Sequence, residues 1–251
     1  MKPTLTLLMG ALAAGAFAAE SKFEGSINFS ANYAVSNRDS QALFLFGDAS
    51  RKMGNGDLGI KSFYSFARQN QTNGGPFSTT EDRMSLAGRY DYLIGTRTFG
   101  YGSLRFDRDR IAALDLRTLA GAGLGSYIIP VSKLEDRGER DWKLSAGLSY
   151  LNEDYTGGGS DSYVGLELGS AYRMMLSDTL RLSHSAGFVP NFGDWSDYFF
   201  VSDLSLTMPL GDEKKASWQV SFSFLFDYDS TPAVGARQDN YKYVLGIGYK
   251  F

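Results

Sequence analysis

The chain has 251 residues, one histidine, no cysteine and a net charge of −3, and 43% of its residues are apolar. This composition excludes disulfides and a lipid-modified cysteine, and a slightly acidic chain argues against nucleic acid as a partner. Beyond the N-terminal segment no apolar run reaches about 18 residues, which excludes a helical membrane protein. A membrane β-barrel is not excluded, because its strands show only an alternation of apolar and polar residues.

The first residues, MKPTLTLLMGALAAGAFAAES, predict a secretory signal peptide. Lys2 precedes an apolar stretch, and Ala16-Phe17-Ala18 matches the small-x-small pattern of a cleavage site. The stretch is short and rich in Gly and Ala, which disfavours a membrane anchor, because a spanning helix needs about 20 residues. We therefore expect residues 1–18 to be removed and residues 19–251 to form one barrel domain.

From there onward, segments in which apolar and polar residues alternate are separated by turn signals. A period of two indicates β-strands, because on a helix the same apolar positions would scatter around the circumference. Gly, Asn, Asp and Pro dominate the breaks, as turn geometry requires. The breaks predict twelve strands and lie near residues 37–40, 54–56, 71–76, 94–96, 107–110, 132–140, 156–161, 177–178, 191–197, 211–215 and 230–235.

In chain order, four segments show the alternation most clearly. Their apolar faces are Phe23, Ile27, Phe29, Ala31 and Tyr33; Met84, Leu86, Tyr90 and Tyr92; Trp142, Leu144, Ala146, Leu148 and Tyr150; and Trp218, Val220, Phe222, Phe224, Phe226 and Tyr228. Two segments, the second (LFLFGDASR, 43–51) and the fifth (RTFGYGSLRF, 97–106), slip out of phase. For these two we expect a bulge at a glycine.

The alternation fits a soluble β-sandwich or a membrane barrel, and three features favour the barrel. Many segments run about 12 residues, close to the roughly 9–11 that cross a bilayer and longer than the usual 5–6 or so of globular strands. The polar positions are mostly small and uncharged, and aromatic residues lie near segment ends, as in interfacial girdles. We predict an all-β fold, a transmembrane antiparallel up-and-down β-barrel of about 12 strands.

The last segment, NYKYVLGIGYKF, resembles the C-terminal signal that the insertion machinery of bacterial outer-membrane barrels recognises. The alternate positions are Tyr243, Leu245, Ile247, Tyr249 and Phe251. An ordinary edge strand is the alternative. A barrel must close, however, because unpaired backbone groups in lipid cost several kcal/mol each. We expect the last strand to pair with the first and, because twelve is even, both termini to lie on the periplasmic side.

The central stretch 88–129 resembles a known family. Its motifs are the Asp-Arg turn between Arg105 and Arg110, the pair Leu116-Arg117, and Gly121, Gly123 and Gly125 followed by Tyr127. A similar succession occurs in the salt-induced outer-membrane protein family, catalogued as a domain of unknown function, DUF481. The resemblance implies an outer-membrane barrel and brings no catalytic residues, because the family has no established activity.

Charged residues of the fourth, fifth and sixth strands form the candidate site. By parity they point inward: Arg83, Arg105, Asp107, Asp115 and Arg117 in the outward half of the barrel, and Arg89 and Asp91 nearer the periplasm. One interpretation is a constriction that selects small solutes by field and size. The other is a network of Arg–carboxylate pairs that fills the lumen, because buried charges must be paired.

No catalytic, metal or cofactor site is predicted. His184 points outward by parity, whereas Ser183 and Ser185 point inward, so no local nucleophile–base pair forms. One histidine and no cysteine argue against zinc. The acidic stretch GDWSD (193–197) could hold Ca²⁺ or bridge lipopolysaccharide, but a solvated loop explains it equally well.

Three function classes remain at this point. The first is a narrow pore for small polar solutes or ions, and the second is a structural or stress-response envelope barrel with a filled lumen. The third and least favoured is an outer-membrane hydrolase that uses His184. In each case we expect residence in the bacterial outer membrane, with membrane lipid, lipopolysaccharide and the barrel insertion machinery as partners.

Overall fold

Twelve β-strands make up the regular structure of this computed structural model, which describes residues 23–35, 38–71, 75–128, 140–211, 217–233 and 236–251. They are β1 (Glu24–Ala34), β2 (Ser40–Met53), β3 (Gly56–Asn70), β4 (Phe77–Leu93), β5 (Thr98–Asp109), β6 (Leu114–Tyr127), β7 (Arg140–Tyr155), β8 (Ser160–Ser177), β9 (Leu180–Pro190), β10 (Tyr198–Pro209), β11 (Ser217–Asp229) and β12 (Asp239–Lys250). No helix in the described ranges is long and apolar enough to cross a bilayer. The predicted signal peptide, residues 1–18, lies outside them.

Each strand pairs antiparallel with the next, and β12 pairs with β1, so the sheet closes into a barrel. The predicted fold, an up-and-down antiparallel barrel of twelve strands, is confirmed. Gly25 and Phe251 exchange two backbone hydrogen bonds of 3.1 and 3.0 Å, so the start of β1 and the end of β12 lie at the same end. We call this the near end and the opposite one the far end; connections that follow odd-numbered strands lie at the far end.

Contacts between strands that are not neighbours cross the interior and identify the inner face. Arg83 of β4 contacts Asp227 of β11, and Lys242 of β12 contacts Glu81 of β4. Directly paired residues point to the same side of a sheet, so the strand ladders carry this assignment around the barrel. The residues predicted for the outer face do face outward, and many are exposed in the isolated chain, among them Phe29, Leu86, Leu148, Trp218 and Leu245.

Strands β2 and β5 contradict the prediction of a bulge at a glycine. The two ladders of β2 run without a register shift, and the shift in β5 lies between Asp107 and Asp109, away from its glycines. The phase slip arises because both strands turn aromatic rings into the lumen. These rings are Phe44, Phe46, Phe99 and Tyr101. An apolar side chain therefore does not always mark the outer face of this barrel.

Candidate functional site: the lumen

The near half of the lumen is filled by aromatic rings with cations lying over them. Phe99 and Tyr101 pack with Tyr127, and the rings of Phe99 and Tyr127 meet edge to face with centroids 5.4 Å apart. The Arg89 guanidinium lies 3.9 Å from the Tyr101 centroid, and the Lys143 ammonium lies 5.2 Å from that of Tyr127. Both distances suit cation–π attraction. The near cluster consists of Arg89, Asp91, Phe99, Tyr101, Tyr127 and Lys143.

Asp91 joins the two cations of the near cluster. Its Oδ1 accepts a hydrogen bond from Nε of Arg89 at 2.7 Å, and its Oδ2 accepts one from Nζ of Lys143 at 3.0 Å. Asp91 is buried, so the pairing supplies the compensation that a buried carboxylate needs. Arg89 and Asp91 thus lie towards the near end and belong to one network.

The glycines of the family motif face the lumen and make room for this cluster. A Cβ atom on Gly125 would overlap the Phe99 ring, and one on Gly121 would overlap the Glu167 carboxylate. Glycine in a strand marks such a close approach. Gly147 of β7 has the same role towards the Tyr101 hydroxyl. The alternating glycines of β6 and Gly147 therefore form a socket for inward aromatic and charged side chains.

A second group of charges lies closer to the far end. Nη1 of Arg83 donates to both carboxylate oxygens of Asp227, at 2.8 and 2.9 Å, across the lumen. Nε of Arg105 donates to Asp107 on the same strand, at 2.8 and 3.0 Å from its two oxygens. Arg117 donates to Glu153 of β7 and to Asp229 of β11. The far cluster consists of Arg83, Arg105, Asp107, Arg117, Glu153, Phe199, Asp227 and Asp229.

Phe199 of β10 lies between two arginines of the far cluster. Its ring centroid is 4.3 Å from the guanidinium of Arg117 and 5.6 Å from that of Arg105. The ring is almost fully buried and packs with Leu151 and Val189. The wall from β6 to β10 is therefore packed with side chains at this level.

Asp115 lies outside the far cluster, although its parity predicted an inward position. The β6–β7 ladder shifts register between Leu114 and Leu116, and the extra residue reverses the alternation on which the prediction depended. Leu114 takes the inward place and is buried. The Asp115 side chain is 60% exposed and pairs with Arg108 at 3.5 Å on the far rim.

The sequence analysis predicted Asp91 and Asp107, the partners of Arg89 and Arg105, but missed the partners of Arg83 and Arg117. The same alternation would have marked Asp227 and Glu153 as inward if it had been followed to the ends of their strands. It could not show which inward residues meet, because Arg83 and Asp227 are 144 positions apart in the chain. That pairing depends on the closure of the barrel.

Two adjacent cavities occupy the middle and far parts of the lumen. The chamber, in the middle, measures about 90 Å³, and the vestibule, at the far mouth, about 70 Å³. On this measure roughly 10–15 Å³ holds one water molecule, so each has room for several. Arg83, Asp227 and Asn240 line both cavities. The Arg83–Asp227 ion pair therefore lies between the chamber and the vestibule.

Side chains on two walls of the near half of the lumen are buried. Phe99 is 0% exposed and Tyr127 is 3% exposed, and on the opposite wall Gln219 and Ser221 are each 6% exposed. Nε2 of Gln219 donates to Oδ1 of Asn28 at 3.1 Å. The near half of the lumen is therefore densely packed along these two walls, and the two cavities lie beyond it, towards the far end.

His184 faces outward, as predicted, and has a polar neighbour that the sequence analysis did not identify. Its Nε2 lies 3.0 Å from Oγ of Ser202 on β10. Ser202 pairs with Ala186 in the ladder and so shares the outer face of His184. The expectation that no local pair forms holds for Ser183 and Ser185, but a cross-strand pair exists.

The carboxylates of the acidic loop 191–197 at the far end accept hydrogen bonds from the loop itself and from Thr231. Ser196 donates its hydroxyl (2.6 Å) and its backbone N–H (2.9 Å) to Oδ1 of Asp194, and these bonds lower the pKa of Asp194 from its ordinary value. Asp197 accepts a hydrogen bond from Asn191 at 2.9 Å and another from Thr231. Donors of the loop, together with Thr231 of the neighbouring connection, therefore hold its carboxylates in place.

Solved β-barrels resemble this chain over most of its length at low identity. The translocator domain of the autotransporter NalP from Neisseria meningitidis is 15% identical, with 98% of this chain and 95% of that one covered and a TM-score of 0.43. The KdgM porin is 11% identical, with 91% and 99% covered and a TM-score of 0.41. The NanC porin is 10% identical, with 90% and 96% covered and a TM-score of 0.39.

Comparison with family models gives a match over most of the chain. Residues 27–251 match the model described as "Protein of unknown function, DUF481". No curated protein matches the chain.

Proposed function

The chain belongs to the DUF481 family of proteins of unknown function, and we propose that it is an outer-membrane β-barrel that serves as a narrow pore for ions and small polar solutes. The observation that carries the proposal is the asymmetry of the lumen. A chamber lined by charged and apolar side chains, with room for several waters, lies behind a vestibule at the far end, and a cluster of buried side chains fills part of the near half.

The outer face supports a position in the membrane. Exposed apolar residues occur on the outward positions of nearly every strand. Aromatic pairs lie near both ends, with Trp142–Tyr172 and Trp218–Tyr249 at the near end and Tyr198–Tyr228 at the far end. Bilayer interfaces favour amphipathic rings. In this arrangement the near end faces the periplasm and the far end faces outward.

The side chains of the lumen favour selection of solutes by size over selection by charge. Arg83, Arg105 and Lys242 each have a carboxylate partner, so the field that a solute meets is mixed in sign. The chamber is small, and the aromatic rings of the near cluster are buried between it and the near end. We therefore expect the near cluster to limit passage.

Swelling of proteoliposomes tests this function. The refolded barrel should admit glycine-sized solutes faster than protein-free vesicles do and should exclude a trisaccharide. Heat-modifiable gel mobility and circular dichroism would establish folding in the same preparation. If a folded sample admits no solute above the protein-free background, the pore is wrong and the filled-lumen barrel takes its place.

The filled-lumen barrel, a structural or stress-response envelope protein, is supported by the same near cluster. In this alternative the paired charges and aromatic rings brace the wall and do not move. Salt-dependent expression, which the family resemblance implies, is a separate proposal. Transcript measurement at raised salt tests it, and constant transcript levels would remove it.

We further propose that the barrel is not a hydrolase, despite the pair formed by His184 and Ser202. A catalytic base needs a third group to orient it and donors for the oxyanion. Among the described residues, Ser202 is the one hydrogen-bond partner of His184. Ester hydrolysis by the purified barrel that disappears in Ser202→Ala would overturn this proposal.

A further inference from the structure

The wall of the barrel is incompletely paired between β1 and β12. Direct pairing runs from Ser26↔Lys250 to Phe29↔Ile247 and stops there, although the same register would bring Ala31 opposite Leu245. The ladder is confined to the near half of these strands. We call the unpaired remainder, residues 30–34 of β1 and 239–246 of β12, the seam gap.

Both strands of the seam gap remain strands, because each is paired on its other side. β1 stays paired with β2 as far as Ala34, and β12 stays paired with β11 as far as Asp239. Every residue from Ala31 to Val35 is exposed, whichever face of the sheet it belongs to. That exposure is the property of an edge, since a closed wall would cover one face.

An edge of this kind is costly inside a bilayer. Backbone groups without a partner in hydrocarbon cost several kcal/mol each. The seam gap lies in the far half, which the proposed orientation assigns to the outer leaflet. It therefore needs an occupant that offers polar groups as well as an apolar body.

The chamber lies directly behind the seam gap. Asn240 and Lys242 belong to the gap and also line the chamber. Lys242 extends into the lumen: it contacts Glu81 and lies 5.0 Å from the Phe63 ring centroid. A molecule that enters between β1 and β12 would therefore reach the chamber without passing the Arg83–Asp227 pair from the vestibule.

The lining of the chamber combines apolar and basic groups. Lys61 has a single hydrogen bond in the described part of the chain, to Ser185 at 3.3 Å, and no ion pair there. Its ammonium is therefore the cation most available to a ligand. The apolar side chains of the lining are Phe46, Phe63, Ala87, Val201, Leu225 and Phe226, the basic ones are Lys61, Arg83, Arg105 and Lys242, and the acidic ones are Asp203 and Asp227.

We propose that the seam gap admits a single-chain amphiphile with an anionic head from the outer leaflet. The head lies in the chamber near Lys61, beside Phe46 and Phe63, and the tail extends through the gap into the leaflet. This lateral route goes beyond axial conduction and rests on the membrane position given under the proposed function. The chamber volume suits the head and first carbons of such a molecule, not a whole chain.

A covalent cross-link across the seam gap tests the route. Because the chain has no native cysteine, the reaction joins only the two cysteines that are introduced. Ala31→Cys/Leu245→Cys joins the edges at the second register position beyond the ladder, by oxidation or, for a wider gap, with a short bifunctional thiol reagent. The probe is dansyl-labelled undecanoate added to the barrel in nanodiscs. Locking should weaken probe binding by about tenfold or more, and reduction should restore it.

Two controls separate this route from general damage and from the pore. Ile27→Cys/Tyr249→Cys locks a part of the seam that is already paired, and it should leave binding unchanged. Lys61→Ala should weaken binding of the undecanoate but not of the matching alcohol. Unchanged binding after the Ala31–Leu245 lock overturns the lateral route, even if ions are still conducted. Lock-sensitive binding without conduction would remove the pore and leave the route standing.

Discussion

Arg83 on β4 and Asp227 on β11 reach each other across the lumen, with Nη1 2.8 and 2.9 Å from the two carboxylate oxygens. The Arg83 side chain is only 9% exposed. Removing the charge of Asp227 would leave a buried guanidinium with a neutral partner. We expect Asp227→Asn to lower the free energy of unfolding by about 3–5 kcal/mol, measured by urea titration in lipid vesicles.

An exposed ion pair of the same barrel provides the control for that substitution. The Arg237 and Asp239 side chains are 77% and 40% exposed and lie 3.2 Å apart at the far end. Asp239→Asn should therefore change the unfolding free energy by less than about 1 kcal/mol. Equal effects at the two positions would mean that Asp227 is not part of a buried network.

Gly125 provides the space that the Phe99 ring occupies. A methyl group at Gly125 would overlap that ring, so we expect Gly125→Ala to destabilise the barrel by about 1–3 kcal/mol through overpacking. Gly102 is the matched position, because a Cβ atom there meets nothing within 4 Å. Gly102→Ala should change stability by no more than about 0.5 kcal/mol. If Gly125→Ala lowers the stability no more than Gly102→Ala does, the Phe99 ring does not depend on the space at Gly125.

Leu148 tests whether hydrocarbon surrounds the wall. It faces outward on β7 and is 60% exposed in the isolated chain, and Trp195, in the far-end loop, is 62% exposed. In a bilayer Leu148→Arg should lower the free energy of unfolding by about 2–4 kcal/mol, whereas Trp195→Arg should leave it nearly unchanged. Refolding equilibria in vesicles compare the two variants. Equal and small costs would place Leu148 in water and contradict a membrane barrel.

His184 and Ser202 satisfy each other on the outer face at 3.0 Å. Ser202→Ala removes the hydrogen-bond partner of the His184 imidazole, and we expect the free energy of unfolding in bilayers to fall by about 1–3 kcal/mol. The double variant His184→Leu/Ser202→Ala removes both polar groups and should recover most of that loss. A double-mutant cycle measures the coupling, and strictly additive effects would mean that the two side chains do not interact.

The strand order and most of the inside–outside pattern could be predicted from the sequence, because a period of two is a local property. The regular alternation of Met84 to Tyr92 and of Trp142 to Tyr150 is reproduced in β4 and β7. The same reasoning did not identify Phe44 and Phe99 as residues that face the lumen. Hydropathy alone does not distinguish a ring that meets lipid from one that fills a lumen beside glycine.

The composition of the clusters could be predicted only in part. Arg83 and Arg117 were found because parity marks them as inward. Asp115 was misplaced because a one-residue bulge reverses parity without a sequence signal. The partner of Arg83 could not be predicted, because closure of the barrel brings β4 and β11 face to face. No local sequence pattern shows which of their residues then meet.

Single-channel recording in planar bilayers tests the central claim most directly. The wild-type barrel should give small, brief openings, and Phe99→Ala/Tyr101→Ala should give larger and longer ones, because those two rings fill part of the near half of the lumen. Phe44→Ala, which removes a lumen ring outside the near cluster, should resemble the wild type. Silence from all three folded proteins, or identical conductance in the double variant and the wild type, would contradict the account.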